Sequence, residues 1–359
     1  MPVTKRASRR SHSGPTISDV AARAGVSQMT VSRVINGTGN VRPATREVVD
    51  EAIAALRYAP NPAARSLAGA GQCRIGIIYS NPSAGFLSEF LVGGLDQASR
   101  TDTQLLLEKC EIGEHEVDVA RHLVSSGIDG VILPPPLCER DDVFDILEAA
   151  KVPTVALATG KQQGRCMAIS INDRQAAFEM TAHLIGLGHR RIGFVKGDPD
   201  ISASMQRLLG YGDALADAGI AYDEALIAEG EFTYRSGLAA AERLLATDDR
   251  PTAIFASNDD MAAAVVAVAH RHGLDIPRQL TVCGFDDTAL STAIWPELTT
   301  IRQPIADMTR AAVDMLVATV RRTPTAPGKA DRHRLLDYVL IRRGSDGPPA
   351  DQKRGRDKG

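Results

Sequence analysis

Residues 16–36 read TISDVAARAGVSQMTVSRVIN, two short helical patterns joined by a tight turn. Thr16 is placed to cap the first helix, and Asp19 three residues on completes a capping box. Ile17, Val20, Ala21 and Ala24 fall on one face. Gly25 stands where a left-handed residue would end that helix. Ser27 can cap the second helix, whose inward face is Val31, Val34 and Ile35, leaving Gln28, Met29, Ser32, Arg33 and Asn36 on the other. An apolar stripe beside a hydrogen-bonding stripe suits a helix that enters the major groove, although the pattern alone also describes an ordinary helical hairpin.

Working outward, GTGNV forms a loop, and Pro43 suits the first position of a third helix. Val48, Val49, Ala52, Ile53 and Leu56 recur at helical spacing and are expected to cover the first two helices. Pro60 and Pro62 then break the chain. Asn61 can cap, and Pro62 can start, a helix over 63–67 that is too short to be stable alone. The text T-I-x-D-V-A-x-x-A-G-V-S-x-x-T-V-S-R-V-I-N, followed by TREVVDEAIAALRYAPNPAARSLAG, resembles the lac repressor family of bacterial transcription regulators.

That resemblance implies roles position by position. Gln28, Met29 and Arg33 match the residues that read base edges, and guanine O6 and N7 are the natural target of an arginine. Met29 cannot make paired hydrogen bonds, but it can pack on a thymine methyl. Thr16, Ser27, Thr30, Ser32, Asn36 and Thr45 match backbone-phosphate contacts. Asn61, Ala64 and Leu67 match the minor-groove hinge, where paired leucines wedge into and kink the operator.

Composition fits these parts. The 359 residues suffice for two or three domains. The formal charge of −3 hides an asymmetry: residues 1–72 hold ten Lys/Arg against four Asp/Glu, so the remainder is strongly acidic. The five scattered cysteines lack metal-ligand spacing and read as buried thiols of a reducing cytoplasm. Neither a signal peptide nor a bilayer-spanning run is evident. Residues 1–15 read as a disordered basic arm, either solvated or touching phosphates.

From Cys73 onward, apolar strands alternate with helical patterns, which means doubly wound α/β layers. Two successive series, the second opening at Ala168, resemble the periplasmic sugar-binding fold. The expected architecture is therefore α plus α/β. A helix-turn-helix head covers 16–60 and a hinge 61–71. An effector-binding and dimerisation body covers 72–343, with one subdomain at about 72–170 and 302–325 and the other at about 171–300 and 332–343. A low-complexity, disordered tail covers 344–359. Crossings between subdomains are expected near Asn172, near 298–302 and after Thr325. The helix 305–320 is assigned to the first half, and one strand over 333–341 to the second.

Open α/β sheets bind ligands beyond the C-terminal ends of their strands. By resemblance, Phe86 and Leu87 cover an effector's apolar face, Arg207 donates to it and Phe232 stacks on it. Asp173, Asn258, Asp260 and Asp286 supply further polar groups. Such a set suits vicinal hydroxyls on a sugar, and a nucleobase also fits family precedent. Asn258 or Asp286 can alternatively read as a helix cap, Phe232 as core and Arg207 as a surface ion pair. His189, just before a strand, reads as structural.

No catalytic, phosphate-binding or metal motif appears, so neither an enzyme nor a cofactor is expected. The expectation is a cytoplasmic homodimer that binds operator DNA and a small effector. By the resemblance it is expected to repress carbohydrate-utilisation genes until the effector weakens DNA binding. A corepressor-dependent regulator has the same parts with the opposite sign, and a transport-type sugar-binding module lacks the DNA function.

Overall fold

A computed structural model describes residues 16–35, 41–56, 72–111, 113, 115–160, 164–247, 249–328 and 332–350. The chain divides into two compact units at Gln72.

The first unit holds α1 (Ile17–Ala24), α2 (Gln28–Ile35) and α3 (Pro43–Leu56). The Asp19 carboxylate accepts from the Thr16 backbone N–H and from its hydroxyl, each at 2.8 Å. Those hydrogen bonds hold the carboxyl below the usual range. Gly25 closes α1 at φ 65°, and Ser27 Oγ accepts from Thr30 N–H at 3.1 Å to start α2. Val20, Ala21, Val31, Val34, Val49 and Ala52 make the core. Val48, expected on the covering face of α3, is instead exposed, because it falls about 100° round the helix from Val49. The basic arm and the hinge assignments Asn61, Ala64 and Leu67 lie outside the described residues, as does Asn36.

The second unit carries two six-stranded sheets. In the first run β1 (Cys73–Tyr79), α4 (Ala84–Arg100), β2 (Thr103–Lys109), α5 (Glu116–Ser125), β3 (Gly130–Leu133), α6 (Asp141–Ala149), β4 (Thr154–Leu157) and β5 (Met167–Ser170). The next run is α7 (Asp173–Gly186), β6 (Ile192–Val195), α8 (Ser202–Asp217), β7 (Ile227–Ala228), α9 (Tyr234–Leu245), β8 (Ala253–Ala256), α10 (Asp259–Arg271), β9 (Thr281–Asp286), α11 (Leu290–Ala293) and β10 (Thr299–Arg302). Then come α12 (Ile305–Arg321), β11 (His333–Leu335) and β12 (Val339–Ile341). The sheet orders are β11-β5-β4-β3-β1-β2 and β12-β10-β9-β8-β6-β7. The central strands are buried on both faces, as parallel strands between helix layers must be.

Three crossings join the halves. The first is at 171–172, and β5 therefore closes the first series rather than opening the second, since Val155–Leu157 pair in parallel with Met167–Ile169. The second is at Gln303–Pro304, after which α12 packs on α4 and beneath the first sheet. There Gly93 lets the two helices touch, because a Cβ would collide with the Ala306 backbone. The third splits the single strand expected over 333–341. His333–Leu335 run parallel to Ala168–Ser170 in the first sheet, whereas Val339–Ile341 run antiparallel to Thr300–Arg302 in the second.

The tail also departs from expectation, because residues 344–350 are docked on the second subdomain. Ser345 and Asp346 are buried. The Ser345 carbonyl accepts from Val282 N–H at 3.0 Å, and its hydroxyl accepts from Thr299 N–H at 2.8 Å. Asp346 takes the Thr299 hydroxyl at 2.5 Å and pairs with His183 at 2.8 Å, and these partners hold its carboxyl low despite burial. His189 is structural, as expected: it bridges Thr252 and the Gly347 carbonyl, each at 2.8 Å. A chain ending at Arg343 is expected to lose about 3 kcal/mol or more, because several buried partners are stranded together. Urea unfolding against the full chain measures the loss, and a change below about 0.5 kcal/mol contradicts the docking.

The five cysteines are buried thiols that form no disulfide.

Candidate functional site

On the first unit, α2 presents Met29 and Arg33 on one face, four residues apart, and both are exposed. Gln28, also exposed, donates from Nε2 to Ser18 Oγ at 2.9 Å, so α1 fixes its amide. Thr30, Ser32 and Thr45 are partly exposed, and Thr16 and Ser27 are exposed at the starts of α1 and α2. Helix starts offer backbone N–H groups, and with the hydroxyls beside them they suit phosphate oxygens.

On the second unit a cleft of about 390 Å³, partly open to solvent, lies between the two sheets. It is walled by loops that follow the strands. Asn81, Ser83 and Phe86 come after β1, Pro135 after β3 and Ala158 after β4. From the second subdomain, Ile201, Ala203 and Arg207 come after β6, Phe232 after β7, Asn258 after β8, Asp286 at the end of β9 and Gln303 after β10. The site thus sits at the C-terminal ends of the strands.

Arg207 is its centre and is 4% exposed. Nε donates to Asp173 Oδ1 at 2.8 Å and Nη1 to the Ser257 carbonyl at 2.6 Å, with Asp286 Oδ1 at 3.9 Å. The guanidinium lies 3.6 Å from the Phe285 ring centre and 5.8 Å from that of Phe232. It is a buried pair, not a surface one. Asn258 does cap α10, accepting from Met261 N–H at 2.9 Å, and its Nδ2 donates to the Phe232 carbonyl at 2.9 Å. Capping therefore fixes Asn258 in place on the cleft wall. Gly197 lets the Phe232 ring lie against the backbone, where a Cβ would penetrate the ring. Ala158, Phe232 and Asp286 all hold positive φ, at 53°, 58° and 107°. Such conformations cost about 1–2 kcal/mol each for residues with a Cβ and collect at functional sites.

Three expected residues are not on the wall. Leu87 lies one helical step beyond Phe86 and packs toward the core instead. Asp173, 4% exposed, is sealed behind Arg207. Asp260 at the rim accepts from Ser83 Oγ at 2.6 Å, and so ties the second subdomain to the first. A second tie joins Ser202 to Glu139 and to Gly160 N–H. The buried acid beneath the wall is the neighbouring Asp259, which accepts from Thr288 N–H at 2.7 Å and Thr300 Oγ1 at 2.7 Å. Sequence reasoning did not single out Asn81, Ser83, Pro135 and Gln303, although the stretch 80–87 that holds the first two follows β1. The available signal was position, since each lies within a few residues of a strand's C-terminal end.

Burial raises the carboxyls of Asp173, Asp259 and Asp260. It pushes Asp286 up to about 7, against the lowering effect of Arg207 and the Gln303 amide. The folded protein thus holds a proton there that the unfolded chain has lost. The resulting stabilisation is full at about pH 4 and is lost as pH rises toward 7. Asp286→Asn removes that slope, so the Tm of the wild type minus that of the variant is expected to fall between pH 4 and 7.5. A difference flat across that range contradicts a titrating Asp286.

Among the described residues, no group of three or more potential metal ligands and no helix long and apolar enough to cross a membrane occurs.

Residues 16–61 match the model for bacterial regulatory proteins of the lacI family, and residues 181–345 match a periplasmic binding protein-like domain. Catabolite control protein A of Priestia megaterium is 36% identical over 303 residues, covering 84% of this chain and 91% of that one. A solved complex of the transcriptional regulator CelR with cellobiose is 32% identical with a TM-score of 0.70, covering 92% of this chain and 99% of that one. The lac repressor dimer bound to operator and an anti-inducer is 27% identical with a TM-score of 0.76, covering 93% and 100%.

Proposed function

Because this chain belongs to the lacI family of bacterial regulatory proteins, we propose that it represses carbohydrate-utilisation genes and is released from its operator by a small sugar. Family membership makes it a DNA-binding regulator with an effector-binding domain, not an enzyme. The sugar reading rests on one observation. The cleft sets Arg207, Asn258 and Asp286 among the apolar faces of Phe86 and Phe232, so paired donors and acceptors meet surfaces suited to sugar C–H groups. The cellobiose held by a relative of the same architecture supports it.

In this reading a cytoplasmic homodimer places one head on each operator half-site. Gln28, Met29 and Arg33 read bases. Thr16, Ser27, Thr30, Ser32, Asn36 and Thr45 hold phosphates, and Asn61, Ala64 and Leu67 serve the hinge. Exposed Val92 and Leu95 on α4, beside exposed Leu107 on edge strand β2, favour a dimer through the first subdomain. Phe86, Arg207, Phe232, Asn258 and Asp286 contact the effector, with Asp173 and Asp260 supporting the site from behind and at the rim, and Leu87 behind Phe86. Release requires the sugar to favour the subdomain arrangement that binds operator poorly.

The test selects duplexes from a random pool, then titrates the selected palindrome in the presence of neutral sugars. A sugar that raises the Tm and weakens operator binding is the expected result. A ligand that tightens binding reverses the sign of regulation, and failure to select any duplex removes the reading.

A further inference from the structure

Gln303 occupies the crossing between β10 and α12, at the point where the chain leaves the second subdomain for the first. It is 4% exposed and stands on the cleft wall. Its Nε2 donates to Asp286 Oδ1 at 2.6 Å, which fixes the amide's orientation. The other end, Oε1, is buried with no hydrogen-bond partner. An acceptor in that state costs about 1–3 kcal/mol, and native proteins keep few of them.

The charges around it restrict what can satisfy it. Arg207 already serves Asp173 and the Ser257 carbonyl, and Asp286 and Asp260 add further carboxyls at the wall and rim. A phosphate group would bring more negative charge to a site with one committed cation. A hydroxyl brings a donor and no charge.

Resting on the sugar reading above, we propose that Gln303 is a further specificity-determining residue: its Oε1 accepts from a hydroxyl of a neutral, polyhydroxylated effector, and phosphorylated sugars are rejected. Because Gln303 lies on the segment that crosses between β10 and α12, the same bond ties occupancy of the cleft to the connection joining the subdomains.

The experiment uses the full chain and a panel of D-glucose, D-galactose, D-xylose, D-ribose, cellobiose, maltose, glucose 6-phosphate and ribose 5-phosphate, followed by thermal shift and calorimetry. At least one neutral sugar is expected to bind, and neither phosphate ester. Gln303→Met, which keeps the bulk and removes the acceptor, is expected to weaken that sugar at least roughly tenfold. Gln303→Glu retains an acceptor and is expected to recover part of the affinity at pH 5, where a proton can be shared with Asp286, and less at pH 8. Equal affinity of the wild type and Gln303→Met, provided both melt cooperatively, overturns the proposal while leaving the sugar reading in place. If Gln303→Met does not fold, Gln303→Glu with affinity independent of pH overturns it. Preferential binding of a phosphate ester overturns the proposal, and no binding by any neutral sugar overturns it together with the sugar reading.

Discussion

Arg207→Met is expected to lower the stability of the second unit by about 3–5 kcal/mol and to abolish effector binding. The substitution keeps most of the side chain's length, so lost packing is not the main cause. The cost comes from what is left behind. Asp173 and Asp286, 4% and 5% exposed, lose the cation that faces them both, and the Ser257 carbonyl loses a donor at 2.6 Å. Burial already raises both carboxyls against the pull of Arg207, so without it both must rise further or remain charged in a dry site. The destabilisation should therefore be smaller at pH 5, where both can take protons, than at pH 8. Combining Arg207→Met with Asp173→Leu removes one stranded charge and is expected to recover part of the Tm. It is not expected to recover binding, because the donor that faces the cleft is still missing. A double variant that binds the sugar as well as the wild type would remove Arg207 from the effector's contacts, and a single variant as stable as the wild type would contradict the buried triad itself.

What the sequence made legible follows the range of the interactions. The Thr16–Asp19 box, the Gly25 cap and the Ser27 cap are all set within four residues, and each formed where the pattern placed it. The strand–helix alternation of the body is a local periodicity too and marked the strand ends; the family resemblance picked Arg207 there, and Arg207, Asn258 and Asp286 meet at those ends. The misplaced parts depend on distant partners. The segment at 344–350 looks like a polar linker, yet Asp346 finds His183, 163 residues away. The strands β11 and β12 are three residues each at sheet edges, with half-exposed side chains, so no apolar run marks where one ends. Asp259 and Asp260 are adjacent acids in SNDD. Only packing decides that the first turns inward onto Thr288 and Thr300 while the second reaches Ser83 across the cleft.

Arg33→Ala is expected to cost about 1–3 kcal/mol of operator affinity, roughly 5- to 150-fold, and to relax preference at one base pair of each half-site. Arg33 is exposed on the same face of α2 as Met29. The neighbouring side chains cannot replace it. Met29 offers no hydrogen bond, and Gln28 gives one of its two Nε2 hydrogens to Ser18. Of the residues assigned to base reading, Arg33 alone can give paired donors to guanine, so its loss should appear as a change in sequence preference and not merely in overall affinity. Arg46→Ala is a useful contrast, a cationic position on α3 to which no base is assigned. If Arg46 touches phosphate, its loss weakens all duplexes about equally and lowers the salt slope by about one. Duplex selection with each variant, at two salt concentrations, separates the cases. An Arg33→Ala protein that selects the wild-type sequence, with affinity lowered alike on every duplex, would make Arg33 a phosphate contact and leave base reading to Gln28 and Met29. In the expected outcome the guanine preference at one position disappears while the remaining positions hold, because the core of Val20, Val31 and Val49 keeps α2 at the same angle to its supporting helices.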